Sequence, residues 1–184
     1  AASDVYKRQD QGFAFGHGNG TNHHYGYNIR KIYDAMWLMR DKIAARGKTD
    51  EYVKVLAYWS GLAETRKPYV YGRDELLDSW HTLLIPKIVS ALMLPDEAEQ
   101  YRAMKSLGVW LSGSLGFTPG TIGGIKPDGT TFHHGGFYPA YSTGAFAMIG
   151  YFCKATRGTD FTLSEQARRC LLYTSDAADD MQCV

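Results

Sequence analysis

Gly26 to Arg46 reads GYNIRKIYDAMWLMRDKIAAR. Ile29, Ile32, Tyr33, Met36 and Ile43 recur three, four or seven residues apart, which lays one apolar stripe along a helix. Gly47 follows as a helix stop. The pattern repeats outward from this stretch. Thr49 or Asp50 caps a second helix carrying Tyr52, Val55, Leu56 and Trp59 and ending near Gly61. Asp74 opens a third, with Leu76, Leu77, Trp80, Leu83 and Leu84 on one face, and Pro86 should kink or split it. Pro95 and Asp96 start a fourth through Tyr101, Met104, Leu107 and Leu111. A fifth runs from Tyr141 or Ser142 to Ala155, and Ser164 and Glu165 begin a sixth. Strand signals are weak, with Thr130 to His133 the best short candidate. Helices joined by short connections pack as antiparallel hairpins, so the expected fold class is all-α.

Composition agrees with one packed unit. The chain has 184 residues, of which 45% are hydrophobic and 21% charged, and its net charge is +1. That excludes a disordered chain and offers no field for nucleic acid or a membrane surface. No apolar run approaches the ~18 residues of a membrane span. The two ends read differently from the rest. One choice of codons for residues 1–9, AASDVYKRQ, is GCAGCGTCAGATGTGTATAAGAGACAG. Its reverse complement, read from the second base, encodes Cys-Leu-Leu-Tyr-Thr-Ser-Asp-Ala, which is the sequence of residues 170–177. Residues 1–9 and 170–184 are therefore expected to be translated sequencing adaptor that packs poorly, and residues 10–169 to be a fragment of one domain of a longer protein. Within 10–169, Cys153 is the single cysteine, so no internal disulfide is expected.

Two Gly-rich segments interrupt the helices: residues 10–24, DQGFAFGHGNGTNHH, and the break from Phe117 to Ala140. They hold five of the six histidines, His17, His23, His24, His133 and His134, while His81 lies on a helix. Loops on a rigid scaffold are where sites concentrate. Zinc is a weak reading, because neighbouring histidines point in different directions and neither HExxH nor a cysteine pair is present. A glycosidase needs two flanking carboxylates, and the long break offers only Asp128, whose Pro-Asp-Gly setting suits a turn. A nucleophile elbow is missing, as is a phosphate loop. Histidine and tyrosine chemistry remains. Tyr141 stands seven residues after His134, and such a pair suits proton abstraction beside a carboxylate followed by elimination.

The residues that carry this chemistry also carry a resemblance. GIKPDGTTFHHGGFYPAYSTGAF (Gly124 to Phe146) resembles the active-site segment of the chondroitin sulfate ABC lyases of polysaccharide lyase family eight. GHGNGTNHHYGY (Gly16 to Tyr27) resembles that family's other catalytic segment. The resemblance implies an incomplete (α/α) toroid followed by β-sandwich domains. It implies a secreted or periplasmic, monomeric enzyme acting on a glycosaminoglycan polysaccharide, without nucleic acid or membrane as partner. The implied catalytic residues are His134, Tyr141 and His24, with His23 as rival to His24. Asn22, His23, His133 and Tyr138 are implied on the substrate side, and Tyr25, Tyr138 and Trp110 are candidates for stacking on sugar rings, with core packing the alternative for each and the better reading of Trp110. No protein-held metal is expected, although a divalent cation, calcium, is an option in the longer protein. The family also uses an arginine and a glutamate beside the tyrosine. Arg157, Arg168 and Arg169 lie too early to match, so this chain alone is expected to be inactive. The competing expectation is a glycan-binding helical domain without catalysis.

Overall fold

The computed structural model describes residues 22–72 and 76–181. Helices dominate: α1 (Asn22–Ala45), α2 (Thr49–Ser60), α3 (Leu76–Asp78), α4 (Leu84–Leu92), α5 (Glu97–Ser114), α6 (Pro139–Thr156) and α7 (Glu165–Met181). A 3₁₀ helix, Leu62–Arg66, follows α2, and a π-helical turn, Ser79–Leu83, joins α3 to α4. The all-α expectation holds, with one small addition. Three short antiparallel strands, β1 (Gly124–Ile125), β2 (Thr131–His133) and β3 (Gly136–Phe137), pair in the order β1-β2-β3 inside the long Gly-rich break.

Local rules account for most boundaries. Asp96 caps α5 by accepting from the Glu99 amide at 2.8 Å. Gly61 ends α2 in the left-handed conformation. Pro139 opens α6 at a position whose missing N–H costs nothing. The N-cap expected at Asp74 lies outside the described residues. α1 starts upstream of its expected origin, at Asn22, and so draws Asn22, His23 and His24 out of the Gly-rich loop onto its first turn. The chain there contains no proline to stop a helix, and Gly26 lets this turn lie against the π turn. A Cβ at Gly26 would fall 2.7 Å from Thr82 Cβ and clash with its hydroxyl.

Pro86 acts one turn earlier than a simple kink. The carbonyl its ring leaves without an amide partner in α-register belongs to Thr82, and the register change occupies Ser79–Leu83, ending just before α4. This turn places Asp78, Trp80 and His81 where α1, α6 and β2 converge.

α4 lies between two apolar layers. Its Val89 and Met93 join Ile29, Tyr33, Leu56 and Trp59 from α1 and α2. Its Leu84 and Ala91 join Trp80, Leu107, Leu111, Ile149 and Phe152 on the other side. Each fully buried leucine here stabilises the fold by about 1.5–3 kcal/mol. Several polar groups trapped in these layers are paired. Trp80 Nε1 donates to Ser114 Oγ at 3.0 Å. Lys87, fully buried on α4, donates to the Ser60 carbonyl at 2.7 Å and pairs with Glu64 at 2.8 Å.

The core reading of Trp110 holds, and two other expectations need correction. Trp110 is buried core, edge-on to Tyr69, so it offers no face to a sugar. Tyr101 is exposed rather than on the apolar stripe of α5, because its hydroxyl reaches outward to donate to Asp160 at 2.9 Å. Residues 170–174 were expected to pack poorly, yet Cys170 and Thr174 are buried and Leu171 packs against the core. They follow Leu163 and Ala167 at helical spacing, so a helix continuing from 165 places them on the same side.

Candidate active site

The site begins with a two-residue turn. His133 pairs with Gly136 across the β2–β3 ladder, leaving His134 and Gly135 as the loop. Both have positive φ, 52° and 74°, the signature of a type I′ hairpin turn. His134 is the one non-glycine residue with positive φ among the described residues. That backbone state costs on the order of 1 kcal/mol for a residue with a Cβ. It also overturns the expectation that adjacent histidines diverge. The His133 and His134 rings lie against each other with centroids 3.9 Å apart and planes tilted by 36°.

Tyr141 completes the row from the first turn of α6. Its ring lies 4.8 Å from that of His133, again tilted, by 34°. Tyr138 stands edge-on to both, at 4.9 Å from Tyr141 and 5.8 Å from His133. His133 is fully buried, whereas His134 and Tyr138 are exposed and Tyr141 is half-buried. His133, expected on the substrate side, lies fully buried against the rings of His134 and Tyr141.

The hairpin is fastened on several sides. Thr131 and Ser142 share a short hydroxyl–hydroxyl bond between β2 and α6, and the Tyr138 amide donates to the Thr131 carbonyl at 3.0 Å. Lys126 donates to Thr118 Oγ1 at 2.9 Å and to the Ile122 carbonyl, and sits over the Phe132 ring. Burial pulls its ammonium below the usual lysine range. Asp128 accepts from the amide and hydroxyl of Thr130, at 2.9 and 2.7 Å, which is the turn role expected of it.

Behind the row stands a carboxylate that the sequence reading missed. Asp78 is 1% exposed, accepts from the Tyr27 hydroxyl at 2.6 Å, and holds its other oxygen 3.4 Å from His133 Nε2. Burial, then the hydrogen bond to Asp78 and its charge, push the Tyr27 phenol far above the usual tyrosine range, so it stays a donor. His81 lies edge-on to Tyr27 at 5.4 Å and against Gly144 of α6. Burial and then the Arg30 charge hold its imidazole below the usual histidine range, against the opposing pull of Asp78. The available signal for Asp78 was an acidic residue set among Leu76, Leu77 and Trp80.

Asp78, His133 and His134 bring one ligand atom each within 4.8 Å of one another. One carboxylate and two imidazoles suit a borderline transition ion, while calcium prefers six to eight oxygens. Among the described residues, this cluster does not fit calcium.

The profile of the lyase catalytic-domain family matches residues 4–174. The chain belongs to the lyase catalytic-domain family. It is 36% identical over 164 residues to a chondroitin sulfate ABC exolyase of Bacteroides thetaiotaomicron, covering 87% of this chain and 16% of that protein. It is 30% identical over 162 residues to a chondroitin sulfate ABC exolyase of Proteus vulgaris, covering 88% and 16%. It is 31% identical over 158 residues to a chondroitin sulfate ABC endolyase of Proteus vulgaris, covering 85% and 16%. The chain spans about one-sixth of the length of these curated relatives. These matches bear out the resemblance read from the two Gly-rich segments. Of the residues that this lyase family resemblance singled out, the structure gathers His133, His134, Tyr138 and Tyr141 in one place. The backbone puts Asn22, His23 and His24 on the first turn of α1, one turn before Tyr27. Their side chains, and that of Tyr25, lie outside the described residues.

Proposed function

We propose that the full-length protein carrying this chain cleaves chondroitin and dermatan sulfate by β-elimination at the uronic acid. The observation that carries this reading is the row His134–His133–Tyr141, exposed at one end, in a lyase catalytic domain. The names of its relatives supply the substrate class.

Elimination removes the proton on carbon 5 of the uronate, breaks the bond from carbon 4 to the leaving oxygen, and leaves a carbon 4–carbon 5 double bond. Charge builds on the uronate carboxyl group during proton removal, so donors placed there contribute most. His134, exposed at the turn, neutralises that carboxylate together with Asn22. Tyr141 delivers a proton to the leaving oxygen and, for glucuronate, first takes the carbon 5 proton. His24 takes the proton from iduronate, where it lies on the opposite face. Tyr138 offers an exposed ring for stacking on a sugar. The domain forms part of an incomplete helical toroid in a secreted or periplasmic monomer. Among the described residues no helix is long and apolar enough to cross a membrane.

The test is ultraviolet absorbance of the unsaturated uronide released from each polymer by the full-length protein. Product on both polymers supports the reading. Saturated products refute elimination, and binding without product points to a glycan-binding domain.

A further inference from the structure

The buried carboxylate at the π turn has no part in the elimination itself. Removing a carboxylate from water costs several kcal/mol unless it is well partnered, and Asp78 is 1% exposed among leucines and tryptophan. A side chain needed for packing alone would be apolar there. Its two oxygens face different parts of the site. Oδ1 accepts from Tyr27 on α1, and Oδ2 lies 3.4 Å from His133 Nε2 on β2. Tyr27 follows positions 23 and 24 by four and three residues, so all three lie on one side of α1. His133 in turn lies against the rings of both His134 and Tyr141.

We propose that Asp78 is a positioning residue, which fixes the tautomer and tilt of His133 and, through that ring, the places of His134 and Tyr141 relative to α1. It rests on the lyase reading. The 3.4 Å contact falls outside hydrogen-bond geometry, so Asp78 acts on the His133 ring through its charge, which favours the proton on the nearer nitrogen. The imidazole is then held in one orientation against which Tyr141 and His134 pack. Asp78 touches neither substrate nor reacting atoms in this scheme. Its effect is carried by the histidine, as a carboxylate steers an imidazole in a hydrolytic triad.

The test uses the full-length enzyme. Asp78→Asn keeps the shape and the acceptor for Tyr27 but presents an amide to His133. It should lower kcat about 10- to 100-fold with KM changed less than about threefold. His133→Gln should give a similar loss, and the double variant should be no worse than either single, because both cut the same link. Tyr27→Phe, which removes only the α1 contact, should cost less. Full kcat in Asp78→Asn overturns the proposal, as do additive losses in the double variant or a Tyr27→Phe loss equal to that of Asp78→Asn. If Asp78→Asn does not fold, His133→Gln reads the same link, and an unchanged kcat there overturns it. Wild-type enzyme that yields no unsaturated product overturns the lyase reading and this proposal together, whereas an active wild type with an indifferent Asp78→Asn overturns this proposal alone.

Discussion

Gly144 decides how closely α6 approaches the π turn, and Gly144→Ala tests whether that approach sets the site. A Cβ at this position would stand 2.6, 2.7 and 2.9 Å from Cε1, Nε2 and Nδ1 of His81. Ordinary contacts between carbon atoms are about 3.5–4.0 Å, so roughly 1 Å must be found. The imidazole cannot simply swing away, because Tyr27 stands edge-on to it at 5.4 Å and its hydroxyl is engaged by Asp78. α6 must therefore retreat, and Tyr141 lies on the same helix three residues earlier. Two free-energy effects oppose each other. Replacing glycine in a helix interior gains about 1 kcal/mol from propensity. Overpacking costs about 1–3 kcal/mol. Propensity alone predicts a stabilised variant, while the structure predicts one that is unchanged or destabilised by up to about 2 kcal/mol.

Gly150 provides the control on the same helix, since a Cβ there meets nothing within 4 Å. Gly150→Ala should be stabilised by about 1 kcal/mol in urea unfolding, with full activity. Gly144→Ala should fall at least 1 kcal/mol below it and lose on the order of 100-fold in kcat, the scale of a 1 Å misplacement of a reacting group. Adding His81→Ala should restore stability by making room. If Gly144→Ala matches Gly150→Ala in both stability and rate, the close approach does not position Tyr141 and the reasoning fails.

Four other outcomes follow from the same geometry. Tyr141→Phe keeps the ring stacked on His133 and removes the phenol, so elimination should fall about 10²–10⁴-fold in initial-rate assays of the full-length protein while substrate affinity holds. His134→Asn places in the turn a residue that tolerates positive φ better, so melting temperature should hold or rise while the elimination rate collapses. Burial holds the folded-state pKa of His81 below its unfolded value near 6.5. The unfolded chain therefore binds the extra proton first, and stability should be lost as pH falls below about 6.5, in a window above that of the carboxylates; His81→Gln should flatten it in melts across pH. Zinc should bind at Asp78, His133 and His134 and inhibit elimination by withdrawing His134, an effect read by calorimetry and weakened in Asp78→Asn.

What the sequence made legible was local. The helices announced themselves because their apolar residues recur at helical spacing and their ends carry Asp96 and Gly61, although Pro139, which opens α6, went unread as a start and the helix was expected from Tyr141 or Ser142. The seven-residue spacing from His134 to Tyr141 was visible as a motif, whereas the hairpin that carries the histidines was not. The helical path of α1 through Asn22 was not, since the packing that holds it comes from Thr82 and Leu83, far along the chain. Asp78 stayed hidden for the same reason: its bond to Tyr27 spans 51 residues, and an acidic residue in an apolar run reads locally as a flaw. Pro86 signalled a break, but its outcome as a π turn depends on what Ser79–Leu83 must pack against.

The two histidines show why spacing alone could not assign the roles. On a regular strand, neighbours point to opposite faces, and one of them would leave the site. Here β2 ends at His133 and the turn starts at His134, so the second residue takes a positive φ that a strand residue would not adopt. The rings end up together but in different surroundings: one fully buried beside Asp78, the other exposed. A buried imidazole packed beside a carboxylate can serve as a support, and an exposed one held against it can meet a charged group without a large ordering cost. The backbone strain at His134 is what brings this division of labour within two consecutive residues, and it is sustained by the bonds that fasten β2 to α6 through Thr131, Tyr138 and Ser142.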